Sequence, residues 1–260
     1  METDYEGKNK KGMVLRLERS SIYDGDGFRT VVFLKGCPMH CKWCSTPESQ
    51  SFQVEKAGDK TYGQEMTVEQ VLKEIRKDIP FYFHSGGGLS VSGGELLSQP
   101  EFSRCLLQQA RKEGIDTAIE TTLFAPWKAA ENVLQHAHTV FADLKFIDSD
   151  LHKKYCGVDN EIILKNFLKT NDSHTQFRLI VRIPIIPGLN DSEEELCGMG
   201  KFCAGLSRLH SVQLLPYHRL GSDTYRKLGR TYELEGLLSP SAEHMQRCRA
   251  VIGRYVHEVI

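Results

Sequence analysis

Three thiols fall within eight positions of the chain: Cys37, Cys41 and Cys44, in KGCPMHCKWCSTPE. Thiolates suit zinc and iron–sulfur clusters. Structural zinc and the common cubane clusters usually take four protein ligands, so C-x3-C-x2-C leaves one position open. An open iron is a place where a small molecule can chelate, as catalytic zinc keeps a position for substrate. The competing chemistry is a zinc site completed by His40 or another of the ten histidines. Its spacing, however, is unlike the paired C-x2-C knuckles of zinc modules. Gly36 and Pro38 argue that the segment is a loop, able to wrap a compact metal group.

Further chemistry-bearing residues follow along the chain. SGGE, residues Ser92, Gly93, Gly94 and Glu95, combines glycines that permit close backbone approach with a carboxylate suited to an ammonium. No GK[ST] follows it, which argues against a phosphate-cradling loop. ETT (120–122), DLK (143–145), Arg182 in VRIP and PYH (216–218) add polar groups. Buried ion pairs are the structural alternative for Asp143, Lys145 and Arg182.

The elements that must position these groups alternate between two periods. β-branched and aromatic runs at 28–36, 89–94, 115–121, 139–146, 177–186 and 211–217 predict strands. Helical patterns at 67–79, 99–114, 125–137, 149–155, 160–171, 191–206 and 240–257 separate or follow them. In the first, Val68, Val71, Leu72 and Ile75 form the apolar stripe. About six β/α units argue an α/β fold with a parallel sheet, either a partial barrel or doubly wound. In both, ligands gather beyond the C-terminal strand ends. The thiols and the five polar groups just named occupy six such ends.

At 260 residues and net charge −1 the chain exerts no strong pull on nucleic acid or membrane surfaces. No apolar run reaches bilayer length and the N-terminus is polar, so the expected location is cytoplasmic, where thiols stay reduced. Cys105, Cys156, Cys197, Cys203 and Cys248 then read as small buried hydrophobes. KNKKG (8–12) reads as a solvated, frayed terminus.

The cysteine spacing, with Trp43 before the last thiol, resembles the signature of the radical S-adenosylmethionine superfamily. DGDGFRTVVFLKGCPMHCKWC, SGGGLSVSGGE, DLK, VRIPIIPGLND and LLPYHRLG, in that order, are similar to the activating enzymes of glycyl radical enzymes. The match runs from about residue 20 to the C-terminus. It implies one domain over 1–260, with 1–20 as an N-terminal extension, and a partial (β/α)6 barrel. Residues 49–84 contain no cysteine, so the chain corresponds to the short form without the ferredoxin-like insert of many relatives.

The resemblance further implies that Cys37, Cys41 and Cys44 hold a [4Fe–4S] cluster. S-adenosylmethionine would chelate the fourth iron. Reductive cleavage would give a 5′-deoxyadenosyl radical that takes a hydrogen from a glycine Cα of the partner. Ser92 to Glu95 correspond to the motif at the cosubstrate's amino end. Asp143, Lys145 and Arg182 correspond to its polar contacts, with Lys145 facing a carboxylate. Trp43, Ser45 and LLPYH with His218 correspond to the adenine surroundings. A monovalent cation would use Glu120, Thr121, the Phe141 backbone and Asp143; Glu120 stands where pyruvate formate-lyase activases carry aspartate. Asp24 lies near the incoming partner loop, although Asp26 replaces the proline of the family's DGPG. Flavodoxin or ferredoxin would supply the electron. The WCSTPE flank looks closer to activases of dehydratases and lyases. Two other readings compete: a radical enzyme acting directly on a metabolite or nucleotide, and a non-catalytic zinc-binding module.

Overall fold

The structure, a computed structural model, describes residues 7–172 and 176–260. Among these residues the main sheet has eight strands. They are β1 (Lys11–Ser21), β2 (Arg29–Leu34), β5 (Gln64–Thr67), β6 (Gly88–Gly93), β7 (Asp116–Thr121), β8 (Thr139–Asp143), β9 (Arg178–Ile185) and β10 (Leu209–Pro216). Strands β3 (Glu55–Ala57) and β4 (Lys60–Tyr62) form a separate hairpin. The sheet order is β10-β9-β8-β7-β6-β2-β1-β5. Neighbours from β2 to β10 are parallel, while β1 runs antiparallel to β2 and β5. Six parallel strands in an open sheet make the expected partial barrel.

Local sequence explains the helices between them. Thr67 and Gln70 form a reciprocal capping box at the start of Val68–Ile75, whose stripe Val68, Val71, Leu72 and Ile75 is buried. Pro80 stands in the first turn of a further short helix, Ile79–Ser85, which ends at left-handed Gly86. Ser192 caps Glu193–Ala204 through the Glu195 amide.

Two expectations change. Residues 11–20, expected in an extension, form β1, and Lys11 and Gly12 pair with β5 rather than fray. Residues 1–6 lie outside the described residues. The helix Ser222–Lys227 was also unexpected; it packs Tyr225 inward. At the other sheet edge, the amides of Val212 and Leu214 donate to the Glu258 and Ile260 carbonyls, so the C-terminal residues pair alongside β10.

Candidate active site

The C-terminal ends of the parallel strands open on a cavity of about 270 Å³. Cys37, Cys41, Trp43, Cys44, Ser45, Ser92, Gly93, Gly94, Glu120, Thr121, Asp143, Lys145, Arg182 and His218 all line it. Residues up to 181 positions apart, Cys37 and His218, are thus brought together by the strand ends and the loops that follow them.

Backbone hydrogen bonds hold the cysteine loop. The Gly36 and Cys37 amides donate to the Ser49 and Gln50 carbonyls at 2.7 and 3.0 Å. The His40 and Lys42 amides donate to the Cys156 and Tyr155 carbonyls at 2.8 and 3.0 Å. Trp43 is buried with its ring centroid 6.0 Å from that of Phe146, which stacks on Tyr155. From far along the chain, Arg230 donates to the Pro47 carbonyl at 2.7 Å and pairs with Glu55. Fully buried Lys35 braces the same segment through the Glu48 carbonyl and Glu55.

Behind the cavity wall, the Cys156 thiol hydrogen-bonds Cys41. Together with the nearby Lys145 ammonium it holds Cys41 below the usual thiol range, against the effect of burial. Burial first, then the Glu95 carboxylate, pushes Cys37 well up. Burial and Cys41 push Cys44 up to about 11. Metal loading must therefore displace protons from Cys37 and Cys44. Among the described residues no three His, Cys, Asp or Glu side chains converge tightly enough for a single metal ion. Three sulfurs spread around a shared cavity suit a multi-iron cluster.

At the end of β6 the chain passes very close to its neighbours. Gly93 has φ +118°, and a Cβ there would stand 2.2 Å from the Leu34 nitrogen. At Gly94 it would stand 2.4 Å from the Gly36 carbonyl oxygen. Glycine is needed at both positions. Glu95 does not reach the cavity. It caps the turn Leu96–Ser98, and its fully buried carboxylate accepts from the Leu97 and Thr122 amides and the Thr121 and Thr122 hydroxyls. Burial pushes it up and these donors pull it down. The expected role facing an ammonium is thus replaced by a framework role.

On the far wall, Lys145 Nζ stands 2.6 Å from Asp143. Burial opposes the Lys145 charge, but Asp143 first and then the nearby thiols hold it above its ordinary value. Arg182 donates to Glu120, to Gln213 at 2.8 Å and to the Tyr23 carbonyl at 2.9 Å. Ser92 donates to the other Glu120 oxygen at 2.6 Å. Burial pushes Glu120 up, Arg182 opposes it, and the nearby Asp24 carboxylate adds to the rise. Asp24 and Phe141 lie just outside the lining: Asp24 behind Glu120, and Phe141 with its ring under Arg182.

Sequence reasoning missed part of this cavity. Pro184 and Ile186 line it with Arg182, the alternation of a strand face. Phe33, Met39 and Thr46 also line the wall. Buried Asn190 ties the strand ends together, donating to the Lys145 and Pro184 carbonyls and accepting from the Ile186 amide. Its place after Pro-Gly in PGLND was the available signal. Cys156 was read as a bland hydrophobe and is the hydrogen-bond partner of Cys41.

Residues 31–199 match the Radical SAM superfamily. The chain belongs to that superfamily. It is similar to the (2S)-3-sulfopropanediol sulfolyase activating enzyme of Bilophila wadsworthia strain 3_1_6, 33% identical over 95% of this chain and 98% of that protein. It is also similar to the choline trimethylamine-lyase activating enzyme of Oleidesulfovibrio alaskensis, 31% identical over 95% and 96% of the two chains. The trans-4-hydroxy-L-proline dehydratase activating enzyme of Clostridioides difficile is 32% identical over 91% and 94%. Among solved structures, a domain of pyruvate-formate lyase-activating enzyme from Bacteroides vulgatus superposes with TM-score 0.56 at 31% identity, covering 67% of this chain and 98% of that one. Within the radical SAM superfamily the chain groups with the glycyl radical enzyme activating enzymes and is an enzyme. Membership carries a [4Fe–4S] cluster and S-adenosylmethionine as cosubstrate. The first alignment spans 299 positions against 260 residues here, so that relative holds segments this chain lacks. Among the described residues no helix is long and apolar enough to cross a membrane.

Proposed function

We propose that this chain activates a glycyl radical enzyme of the dehydratase or lyase kind, with all of its chemistry in the one cavity. The observation that carries this reading is the meeting of Cys37, Cys41 and Cys44 with Gly93, Gly94, Asp143 and Lys145 around that space. The donor set fits the group. Three thiols would hold three irons, and none of the other described cysteines lines the cavity. When bound, the cluster supplies one electron to S-adenosylmethionine, releasing methionine and a 5′-deoxyadenosyl radical for hydrogen abstraction.

The chain's own residues bind and orient. The Gly93–Gly94 backbone lines the cavity on the side of the cosubstrate's amino end, and glycine at both positions lets it pass close against β2 and the cysteine loop. Lys145, held charged by Asp143, faces the carboxylate, and Trp43, Ser45, Tyr217 and His218 surround the adenine. Asp24 and the exposed Tyr23 mark the side where the partner's glycine loop arrives. The names of the relatives and the WCSTPE flank support the dehydratase or lyase class. Flavodoxin or ferredoxin fits as electron donor, and a cytoplasmic setting fits the reduced thiols.

The test is anaerobic reconstitution with iron and sulfide, reduction, and addition of S-adenosylmethionine. Wild type should release 5′-deoxyadenosine and raise a glycyl EPR doublet in a partner of this class, whereas Cys41→Ala should do neither. A protein that takes up zinc, assembles no cluster and cleaves no cosubstrate would overturn the reading.

A further inference from the structure

The monovalent cation implied by the family does not fit this wall of the cavity. A hard cation needs several oxygens directed at one point, and the three side-chain donors of the expected set are otherwise engaged. Glu120 is paired with Arg182 and accepts from Ser92. Asp143 is paired with Lys145 at 2.6 Å. The Thr121 hydroxyl donates to Glu95 at 2.7 Å and accepts from the Leu123 amide at 2.9 Å. Phe141 sits mid-sheet, paired to both neighbouring strands.

The geometry shows what takes the place of the ion. Arg182 rises from β9, crosses the Phe141 ring of β8 at 3.8 Å from its centroid, and ends on Glu120 of β7. Its side chain is only 8% exposed and that of Lys145 10%, so both charges act where water screens them weakly. Guanidinium stays charged at any ordinary pH and can stack on an aromatic face while donating at its rim. Glutamate, one methylene longer than aspartate, is the residue on β7 that meets Arg182.

We infer that this enzyme uses Arg182 and Lys145 as built-in cations in place of a monovalent metal ion beside the cosubstrate's carboxylate. The inference rests on the reading of the cavity as the S-adenosylmethionine site and deepens it.

Two measurements on the full chain test it. In the first, the reconstituted enzyme binds S-adenosylmethionine in equilibrium dialysis at fixed ionic strength, in potassium, sodium or choline chloride. The three dissociation constants should agree within about twofold. A tightening of fivefold or more specific to potassium or sodium would overturn the inference. Arg182→Gln should bind about tenfold more weakly in choline chloride and recover in part with potassium. Unchanged affinity of that variant in choline would also overturn it. The second measurement needs no cosubstrate: the thermal midpoint of the wild type in potassium or sodium against choline chloride. Equal midpoints are expected, and a stabilisation specific to either metal ion would count against the built-in cations. If S-adenosylmethionine binds in none of the salts, the functional reading fails, while the thermal measurement still decides the cation.

Discussion

On the β2 side of the cavity the working groups are thiols, and backbone hydrogen bonds hold them; on the β7–β9 side they are charges, and they hold one another. The cysteine loop is pinned through amides of Gly36, Cys37, His40 and Lys42, which leaves its sulfurs directed inward for a soft metal. On the facing wall, Glu120 with Arg182 and Asp143 with Lys145 are fixed by pairing. A side-chain deletion should therefore remove a ligand on one side and strand a charge on the other. The first is a loss of chemistry, the second a loss of stability.

The largest break in this comparison is expected at the thiols. Cys44→Ala should lower 5′-deoxyadenosine formation by more than about a thousandfold, with iron content falling and the thermal midpoint of the metal-free chain nearly unchanged. Next, Arg182→Met should cost about 3 kcal/mol by leaving Glu120 buried without its partner, read by urea unfolding of the metal-free chain. Adding Glu120→Gln should return part of that loss, since the two sites share one interaction. If the double variant is no more stable than the single, the pair is not what holds this wall. Gly94→Ala should cost about 2 kcal/mol, because its methyl meets backbone that cannot step aside.

Cys156→Ser sharpens the comparison from behind the loop. It should keep the full iron complement, and shift the cluster's reduction potential by tens of millivolts at most, since hydrogen bonds to cluster sulfurs tune potential. Loss of iron in this variant would promote Cys156 to a ligand. The smallest effect concerns pH. Burial holds His152 below its ordinary value of 6.5, with the Val158 carbonyl opposing and Lys145 assisting. The unfolded chain then takes up a proton that the folded chain refuses. This contribution is complete above that value and falls by roughly 1 kcal/mol per pH unit as acid is added. His152→Asn should flatten the pH dependence of the metal-free chain's unfolding between pH 7 and 5.5.

The six parallel strands and the groups at their ends were legible in the sequence because strand period and strand-end chemistry coincide. Phe33, Pro184 and Ile186 obey the same alternation but carry no chemistry, so they went unremarked. Strand β1 was hidden for a different reason. Its register shifts between Val14 and Arg16 and again between Glu18 and Ser21, and such irregularities blur the two-residue period. Glu95 was misjudged because the residue type gives no direction; the tight turn at Leu96–Ser98 folds its carboxylate back under Thr121 and Thr122. The Arg182–Glu120 pair joins strands that are not neighbours, and spacing along a chain cannot reveal such a bridge.

The brace from Arg230 to the Pro47 carbonyl spans 183 residues, and its consequence is one of timing. A contact of such sequence separation forms late, after most of the entropy of chain closure has been met. During synthesis, residues 37–44 and their backbone anchors at Ser49, Gln50, Tyr155 and Cys156 emerge before this brace exists, so the segment gains its last anchor only once Arg230 has left the ribosome. Stalled nascent chains ending before Arg230 should leave Cys44 more open to alkylation than the released full-length chain does. If only the released chain protects Cys44, iron delivery follows translation rather than accompanying it.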